Sequence, residues 1–386
     1  MTGTRIDTSA KALNKTRVDM RLIALPLFLI AVSGTFAAAP RSLDEGELNG
    51  AKYAIVLPAQ WNRHLILVAP GLHAENEPLT AAFSSEDVAY KTLFNEGWMI
   101  AKTSFRRNGV VIADGLADLD ALRAYIAGKY GQPQRVLVAG ETLGGLVAVL
   151  VAEREPRQPL LYDGALAISA AMQLKETPSA IGLSLQPKIP ILFLANQGEL
   201  EGPKGYIASP FARGDDIARP VLFRVSRGGH ANVNQQEKLN ALRALNLWVE
   251  RGPSALPRPA DNEPFFDVTT APVARASAVT VHANGHGFDT KVNGFTPTQG
   301  NLLLDAQPAD FATADIRPGT WFRLVVGEKN YRAFYGRDLD SVKRGEWVVL
   351  PGAEGNIILA RNPGEAAATA KLTVGDAVTI QRFDPN

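Results

Sequence analysis

Cysteine is absent from all 386 residues, which excludes disulfides, thiolate metal sites, iron–sulfur clusters and a cysteine nucleophile. An excess of either charge is also lacking. Lys and Arg number 40 against 39 Asp and Glu, and beyond residue 39 the counts are 35 and 37. That balance argues against nucleic acid, or an anionic membrane held by charge, as a partner. Histidine is scarce, with five in the chain, so few positions are open for imidazole chemistry. No internal repeat of 20–50 residues and no low-complexity tract occurs. What is present is 46% apolar and 20% charged residues with 34 Gly and 25 Pro. This composition fits a loop-rich globular protein and excludes collagenous, coiled-coil and disordered classes. The length predicts two domains.

The N-terminus has the three parts of a secretion signal. Arg5, Lys11, Lys15, Arg17 and Arg21 precede an apolar run over 22–32, and Thr35-Phe36-Ala37-Ala38-Ala39 follows. Eleven apolar residues fall short of the roughly twenty that span a bilayer as a helix. The expectation is a signal peptide over 1–39, a periplasmic or secreted mature chain, and no stable membrane partner after cleavage. An uncleaved anchor is the alternative.

From residue 44 to 250, β-branched runs alternate with helix-period segments, the pattern of a parallel sheet covered by helices. Strands are expected at 53–57, 64–69, 98–103, 135–139, 163–169, 189–195 and 220–225. Helices are expected at 114–129, after Gly144 and at 235–250. The Gly252-Pro253-Ser254-Ala255-Leu256-Pro257-Arg258-Pro259 stretch is stiff and helix-breaking, which places a linker over 253–275. Beyond it, short alternating runs at 278–282, 321–326, 347–350, 356–360 and 377–381 predict a small antiparallel barrel or sandwich over 276–386.

The chemistry concentrates where the run 135–139 passes through Gly140-Glu141-Thr142-Leu143-Gly144-Gly145 into a helix-compatible stretch. A nucleophile elbow needs this context: a strained strand-to-helix turn, nearly side-chain-free neighbours, and a hydroxyl at the positive end of a helix beside a backbone N–H. Here the hydroxyl is that of Thr142. Val68-Ala69-Pro70-Gly71-Leu72-His73 ends an earlier strand where a second oxyanion N–H is needed. Asn196-Gln197-Gly198-Glu199-Leu200-Glu201 supplies carboxylates after a later strand, and Arg227-Gly228-Gly229-His230 follows the last strand. The order nucleophile, acid, His is the one this type of site uses. His73 reads as a pocket wall or surface residue. His282 and His286 flank a turn at Asn284-Gly285, and their spacing fits no strong metal motif.

On these motifs, with Ala152-Glu153-Arg154-Glu155-Pro156, Tyr162-Asp163-Gly164-Ala165 and Gly229-His230-Ala231-Asn232, residues 50–252 resemble a secreted α/β-hydrolase. The resemblance implies Thr142 at the nucleophile position, His230 as general base and Glu199 as the orienting acid, with Glu201 as the alternative acid. It implies oxyanion donors at Leu143 and at Gly71 or Leu72. The departure is Thr142, because such hydrolases carry Ser. Residues 292–380 resemble the C-terminal barrel of SAM hydroxide adenosyltransferases and fluorinases, through Gly300-Asn301-Leu302, Tyr335-Gly336, Gly345-Glu346, Gly355-Asn356-Ile357-Ile358-Leu359-Ala360-Arg361-Asn362-Pro363-Gly364-Glu365-Ala366-Ala367 and Leu372-Thr373-Val374-Gly375-Asp376-Ala377-Val378. Gln299 stands where that family carries Phe, and its catalytic domain is missing here.

The expected fold is therefore an α/β-hydrolase sheet with helices on both faces, followed by a small all-β barrel. The expected function is acyl transfer on a small-molecule or peptide ester or amide, without cofactor, metal or nucleic acid. Two alternatives stay open: a catalytically silent binding protein built on the same elbow, and an adenosyl-ligand binder that uses the barrel.

Overall fold

The computed structural model describes residues 42–383 apart from 85–86, 155–160, 173–181, 213–218, 257–264, 297–299 and 363–365. The expected signal peptide over 1–39, the motif residues Glu155, Pro156, Pro363, Gly364 and Glu365, position 299, and the linker residues 257–264 lie outside the described residues.

The first sheet has nine strands: β1 (Ser42–Leu48), β2 (Ala51–Leu57), β3 (His64–Ala69), β4 (Met99–Thr103), β5 (Arg135–Glu141), β6 (Gly164–Ile168), β7 (Ile191–Asn196), β8 (Val221–Val225) and β9 (Phe266–Asp267). Their spatial order is β1-β2-β4-β3-β5-β6-β7-β8-β9. The pairs β1–β2 and β2–β4 are antiparallel, and every pair from β3–β4 to β8–β9 is parallel. Strands buried on both faces must be apolar throughout. Accordingly β5, β6 and β7 are almost wholly buried.

Alternate residues of β3 feed two cores. Leu65, Leu67 and Ala69 pack with α2 (Ile112–Tyr130), α3 (Leu143–Glu153) and α4 (Glu201–Ala208), while Ile66 and Val68 pack with α1 (Val88–Asn95) and α5 (Gln235–Arg251). This is the period-two alternation of a strand read out as two helical layers. Helix α5 begins with a full capping box, Asn234 accepting from the Glu237 N–H and Glu237 accepting from the Asn234 N–H. Together, strand order, helices on both faces and the strand–turn–helix at residue 142 define an α/β-hydrolase fold.

The second sheet closes on itself. Strands β11 (Gly287–Phe295), β12 (Leu302–Leu304), β13 (Trp321–Val326), β14 (Lys329–Tyr335), β15 (Trp347–Pro351), β16 (Ile357–Arg361) and β17 (Ala377–Arg382) run in the order β11-β12-β16-β15-β14-β13-β17. Pairing of β11 with β17 completes a seven-stranded barrel, and β10 (Thr280–Val281) adds to its rim. Closure removes the exposed sheet edges. Phe311, on the short helix α6 (Pro308–Thr313), plugs the interior and meets Phe288, Phe322 and Tyr335 at ring separations of 5.0–5.5 Å.

The stretch read as linker is partly built into the first sheet. After a short 3-10 turn at Pro253–Ala255, Phe266–Asp267 pairs with β8 as the ninth strand. The Thr269 hydroxyl accepts from the Ser226 N–H at 2.7 Å, and the Thr270 N–H donates to Glu237 at 2.9 Å.

Candidate active site

The elbow is built by backbone proximity. A Cβ at Gly140 would collide with the main chain of Gly144, and one at Gly144 would lie 2.6 Å from the Pro70 carbonyl oxygen and closer still to that of Ala69. Residues with side chains cannot approach so closely, so these glycines allow β3, β5 and α3 to converge. Between them Thr142 takes φ 55° and ψ −108°, a conformation that is costly for a β-branched residue. Three main-chain bonds hold it there: its N–H donates to the Ile168 carbonyl at 3.0 Å, and its carbonyl accepts from Leu146 at 3.1 Å and Ala171 at 2.9 Å.

This turn aims the Thr142 hydroxyl at His230, with Oγ1 2.9 Å from Nε2. On the far side of the ring, Nδ1 makes a short hydrogen bond to Oε1 of Glu199. The Glu199 carboxylate fixes the tautomer: Nδ1 carries the proton it donates, and Nε2 is left to accept from the threonine. Glu199 is itself anchored, since Oε2 accepts from Ser169 Oγ at 2.6 Å and from the Ala231 N–H at 3.4 Å. Ser169, buried at the end of β6, holds φ 44° to make this contact. Burial disfavours the imidazolium of His230, but the hydrogen bond and charge of Glu199, with Glu141 adding, outweigh it and raise its pKa above 6.5.

The structure thus brings Thr142, His230 and Glu199 into one hydrogen-bonded row. Glu201 is elsewhere: it begins α4, is 83% exposed and pairs with Lys204 at 3.3 Å. Leu143 is the first residue of α3, so its N–H stands at the positive end of that helix. Gly71 and Leu72 follow directly on Ala69 and Pro70, whose carbonyls abut Gly144. His73 turns to Glu77, with Nδ1 3.1 Å from the carboxylate. His282 pairs with Asp289 at 3.2 Å and His286 lies 3.2 Å from Arg382, both on the barrel. Among the described residues no group of three or more His, Asp or Glu is placed to hold a metal ion.

Two features escape sequence reasoning. Glu141, the residue before the threonine, pairs with Lys238 of α5 at 2.5 Å. Burial pushes its carboxyl upward, but Lys238, with Lys102 and His230 contributing, overcomes that and holds it below the ordinary carboxylate range. A second carboxylate is therefore kept ionised beside the imidazole. The other feature is the support of Glu199 by Ser169. Its only local signal is a polar residue closing an apolar strand.

No family model and no curated protein matches the chain. Among solved structures, Est1E from Butyrivibrio proteoclasticus is 16% identical, covering 54% of this chain and 98% of its own, with a TM-score of 0.41. The Pyrococcus furiosus esterase Pf2001 is 14% identical over 56% of this chain and 90% of its own, with a TM-score of 0.39. An uncharacterized conserved protein from Thermotoga maritima is 21% identical over 31% of this chain, with a TM-score of 0.26, and this chain spans 45% of its length.

Proposed function

We propose that the protein hydrolyses an ester or amide by acyl transfer through Thr142, His230 and Glu199. The observation that carries this reading is the hydrogen-bonded row from Thr142 Oγ1 through His230 to Glu199, built on a strained elbow. In the forward step Nε2 of His230 takes the hydroxyl proton as Oγ1 of Thr142 bonds to the substrate carbonyl carbon. The carbonyl π pair moves to oxygen, and the N–H groups of Leu143 and of Gly71 or Leu72 hold that oxyanion. Collapse of the tetrahedral species expels the alcohol or amine, which leaves with the proton from His230. Water activated by His230 then attacks the acyl-threonine and releases the acid. Glu199 keeps Nδ1 protonated and stabilises the imidazolium at each stage. Glu141, held ionised by Lys238, adds to that stabilisation.

The test is a panel of activated esters and amides on the wild type, Thr142→Ala, Thr142→Ser and His230→Ala. Turnover should vanish in Thr142→Ala and fall comparably in His230→Ala, because such residues act as a unit. Thr142→Ser should retain or raise it. Equal hydrolysis by Thr142→Ala and wild type would remove Thr142 from the mechanism. The crowding methyl of Thr142 favours a second reading, a binding protein that keeps the elbow without turnover. Failure of wild type and Thr142→Ser alike to react with a fluorophosphonate would support it.

Export is part of the same proposal. Intact mass of the secreted or periplasmic protein should correspond to cleavage between Ala37 and Pro40, and a full-length mass there would exclude it. Adenosyl binding by the barrel is checked by calorimetry with adenosine and SAM, where heat of binding is its required result.

A further inference from the structure

The loop that carries His230 has two unusual backbone positions, Gly229 at φ 97° and Ala231 at φ 48°. An alanine in the left-handed region persists only where surrounding contacts over-determine it. On the sheet side those contacts are buried and polar. Arg227 donates to the Asn232 carbonyl at 2.8 Å and grips both oxygens of Glu237 at 3.0 and 3.1 Å. The Asn196 amide donates to the carbonyls of Arg227 and Asn232, both at 3.0 Å, and accepts from the Asn232 N–H at 2.8 Å.

The opposite side of the loop is held by the barrel. Nδ2 of Asn232, a side chain buried in the interface, donates to the Gly228 carbonyl at 2.8 Å and to the Pro351 carbonyl at the end of β15 at 2.9 Å. At Gly228 a Cβ would overlap the carbonyl oxygen of Arg337, so the two backbones meet with no room for a side chain. The Glu354 carboxylate accepts from the N–H of Gln235, the first residue of α5, at 2.8 Å. Three barrel positions therefore grip residues 228, 232 and 235, and His230 lies between them.

We propose that the barrel is one jaw of a clamp on the general-base loop, with Asn232 as the positioning residue that transmits its grip to His230. The inference rests on the reading of His230 as the base. One amide group ties the turn to itself and to the barrel. Removing its two donated bonds leaves two carbonyls short of a partner and frees a strained turn to relax. Relaxation moves the imidazole relative to both Thr142 and Glu199. The charged groups around the ring are Glu199 after β7, Glu141 at the elbow and Lys238 of α5, which pairs with Glu141. The barrel adds Glu354 at the start of α5.

The full chain is tested with Asn232→Asp, which keeps the shape but loses both donors, with Gly228→Ala, which forces loop and barrel apart, and with Glu354→Ala at the exposed rim. Two readouts are taken. The first is ester hydrolysis, where a misplaced base should lower kcat about 10- to 100-fold in Asn232→Asp and Gly228→Ala, with KM moving less than about 3-fold. The second needs no turnover. Protein labelled with ¹³C-histidine is titrated by NMR, and the His230 signal is assigned by its loss in His230→Asn. Its midpoint should fall toward the free imidazole value in Gly228→Ala, and to a smaller extent in Glu354→Ala, as the ring separates from Glu199. Asn232→Asp is read by kcat alone, because its new carboxylate itself raises the imidazole pKa.

Wild-type kcat and wild-type titration in these variants would overturn the clamp. So would a loss of kcat with an unmoved His230 midpoint in Gly228→Ala, because the damage would then be general. If Asn232→Asp or Gly228→Ala does not fold, Glu354→Ala carries the test with the same criteria. Should neither wild type nor Thr142→Ser hydrolyse any ester, the acyl-transfer reading fails, while the NMR titration still reports on the clamp.

Discussion

Adding one methyl group to Gly144 should cost the fold about 3 kcal/mol, the upper end of the range for overpacking a close-packed interior. A Cβ there would stand 2.6 Å from the Pro70 carbonyl oxygen, against 3.4 Å or more for ordinary contact, with the Ala69 oxygen closer still. Both obstacles are main chain at the end of β3, so neither can rotate aside as a side chain would. Elbow and strand must separate by about 1 Å, in a region where the interior is already filled. Gly128→Ala is the matched control. It adds the same methyl in the last turn of α2, where a Cβ meets nothing within 4 Å. That change should stabilise by about 0.5–1 kcal/mol, because alanine loses less backbone entropy than glycine on entering a helix. Two chemically identical changes should therefore differ by about 4 kcal/mol in urea unfolding followed by circular dichroism at the helix band. Values for the two variants within about 0.5 kcal/mol of each other, inside the usual scatter for neutral sites, would refute the close-approach argument.

Three further expectations follow from the same geometry. Glu141→Gln leaves the Lys238 ammonium, 8% exposed, without its carboxylate. Urea unfolding at neutral pH should register a loss of about 2–3 kcal/mol, discounted from the fully buried case because Glu141 is about one-third exposed. Because the pKa of His230 is raised, kcat/KM should climb along a limb whose midpoint lies above 6.5, as the imidazole loses its proton and becomes a base. The stability contributed by its pairing with Glu199 has the opposite trend: it is present in full below pH 6.5 and disappears as pH rises through the raised value. Glu199→Gln should move the kinetic midpoint down. Finally, trypsin should cut at Arg275, within the exposed stretch 271–278, and the fragments should co-elute in gel filtration, held by the contacts to Arg337, Pro351 and Glu354. Independent elution would show those contacts to be too weak to hold the two parts together.

The seven strands from β2 to β8 were legible because burial leaves each of them mainly apolar, with Lys52, Lys102 and Arg224 as interruptions in β2, β4 and β8. Strand β1 was not. Its sequence Ser-Leu-Asp-Glu-Gly-Glu-Leu is polar and contains a glycine, and it is fixed by pairing with β2 and by Asp44, which accepts from Tyr53, Tyr125, Tyr130 and Lys129. Those partners lie up to 86 residues away, beyond the reach of local pattern. Helix α4, with Gly202, Pro203 and Gly205 in eight residues, has almost no intrinsic propensity and forms on tertiary contact. The same holds for residues 265–270, whose composition reads as linker but whose β-pairing, threonine hydroxyl and backbone N–H find partners on β8 and α5. At the site, the elbow leaves a signature because close backbone approach requires glycine at 140 and 144, two positions on either side of Thr142. Asn232 left none: its importance comes from the Pro351 carbonyl, 119 residues further along the chain.

The strain at Thr142 carries the functional argument one step further. A threonine at φ 55° is disfavoured by about 1–3 kcal/mol, and glycine would relieve that cost while keeping all three main-chain hydrogen bonds of the turn, because none of them uses the side chain. What only a side chain adds at 142 is the hydroxyl facing His230. Serine would supply it with less crowding, so the γ-methyl is the one part of the residue with no role in the row from Thr142 to Glu199. That methyl limits the rotation of χ1, and with Oγ1 bonded to Nε2 it also fixes the side from which a carbonyl can approach. If the hydroxyl reacts, the methyl narrows the substrates that can reach it. The reaction is then expected to favour slim acyl groups, with Thr142→Ser widening the range more than it raises the rate on the best substrate.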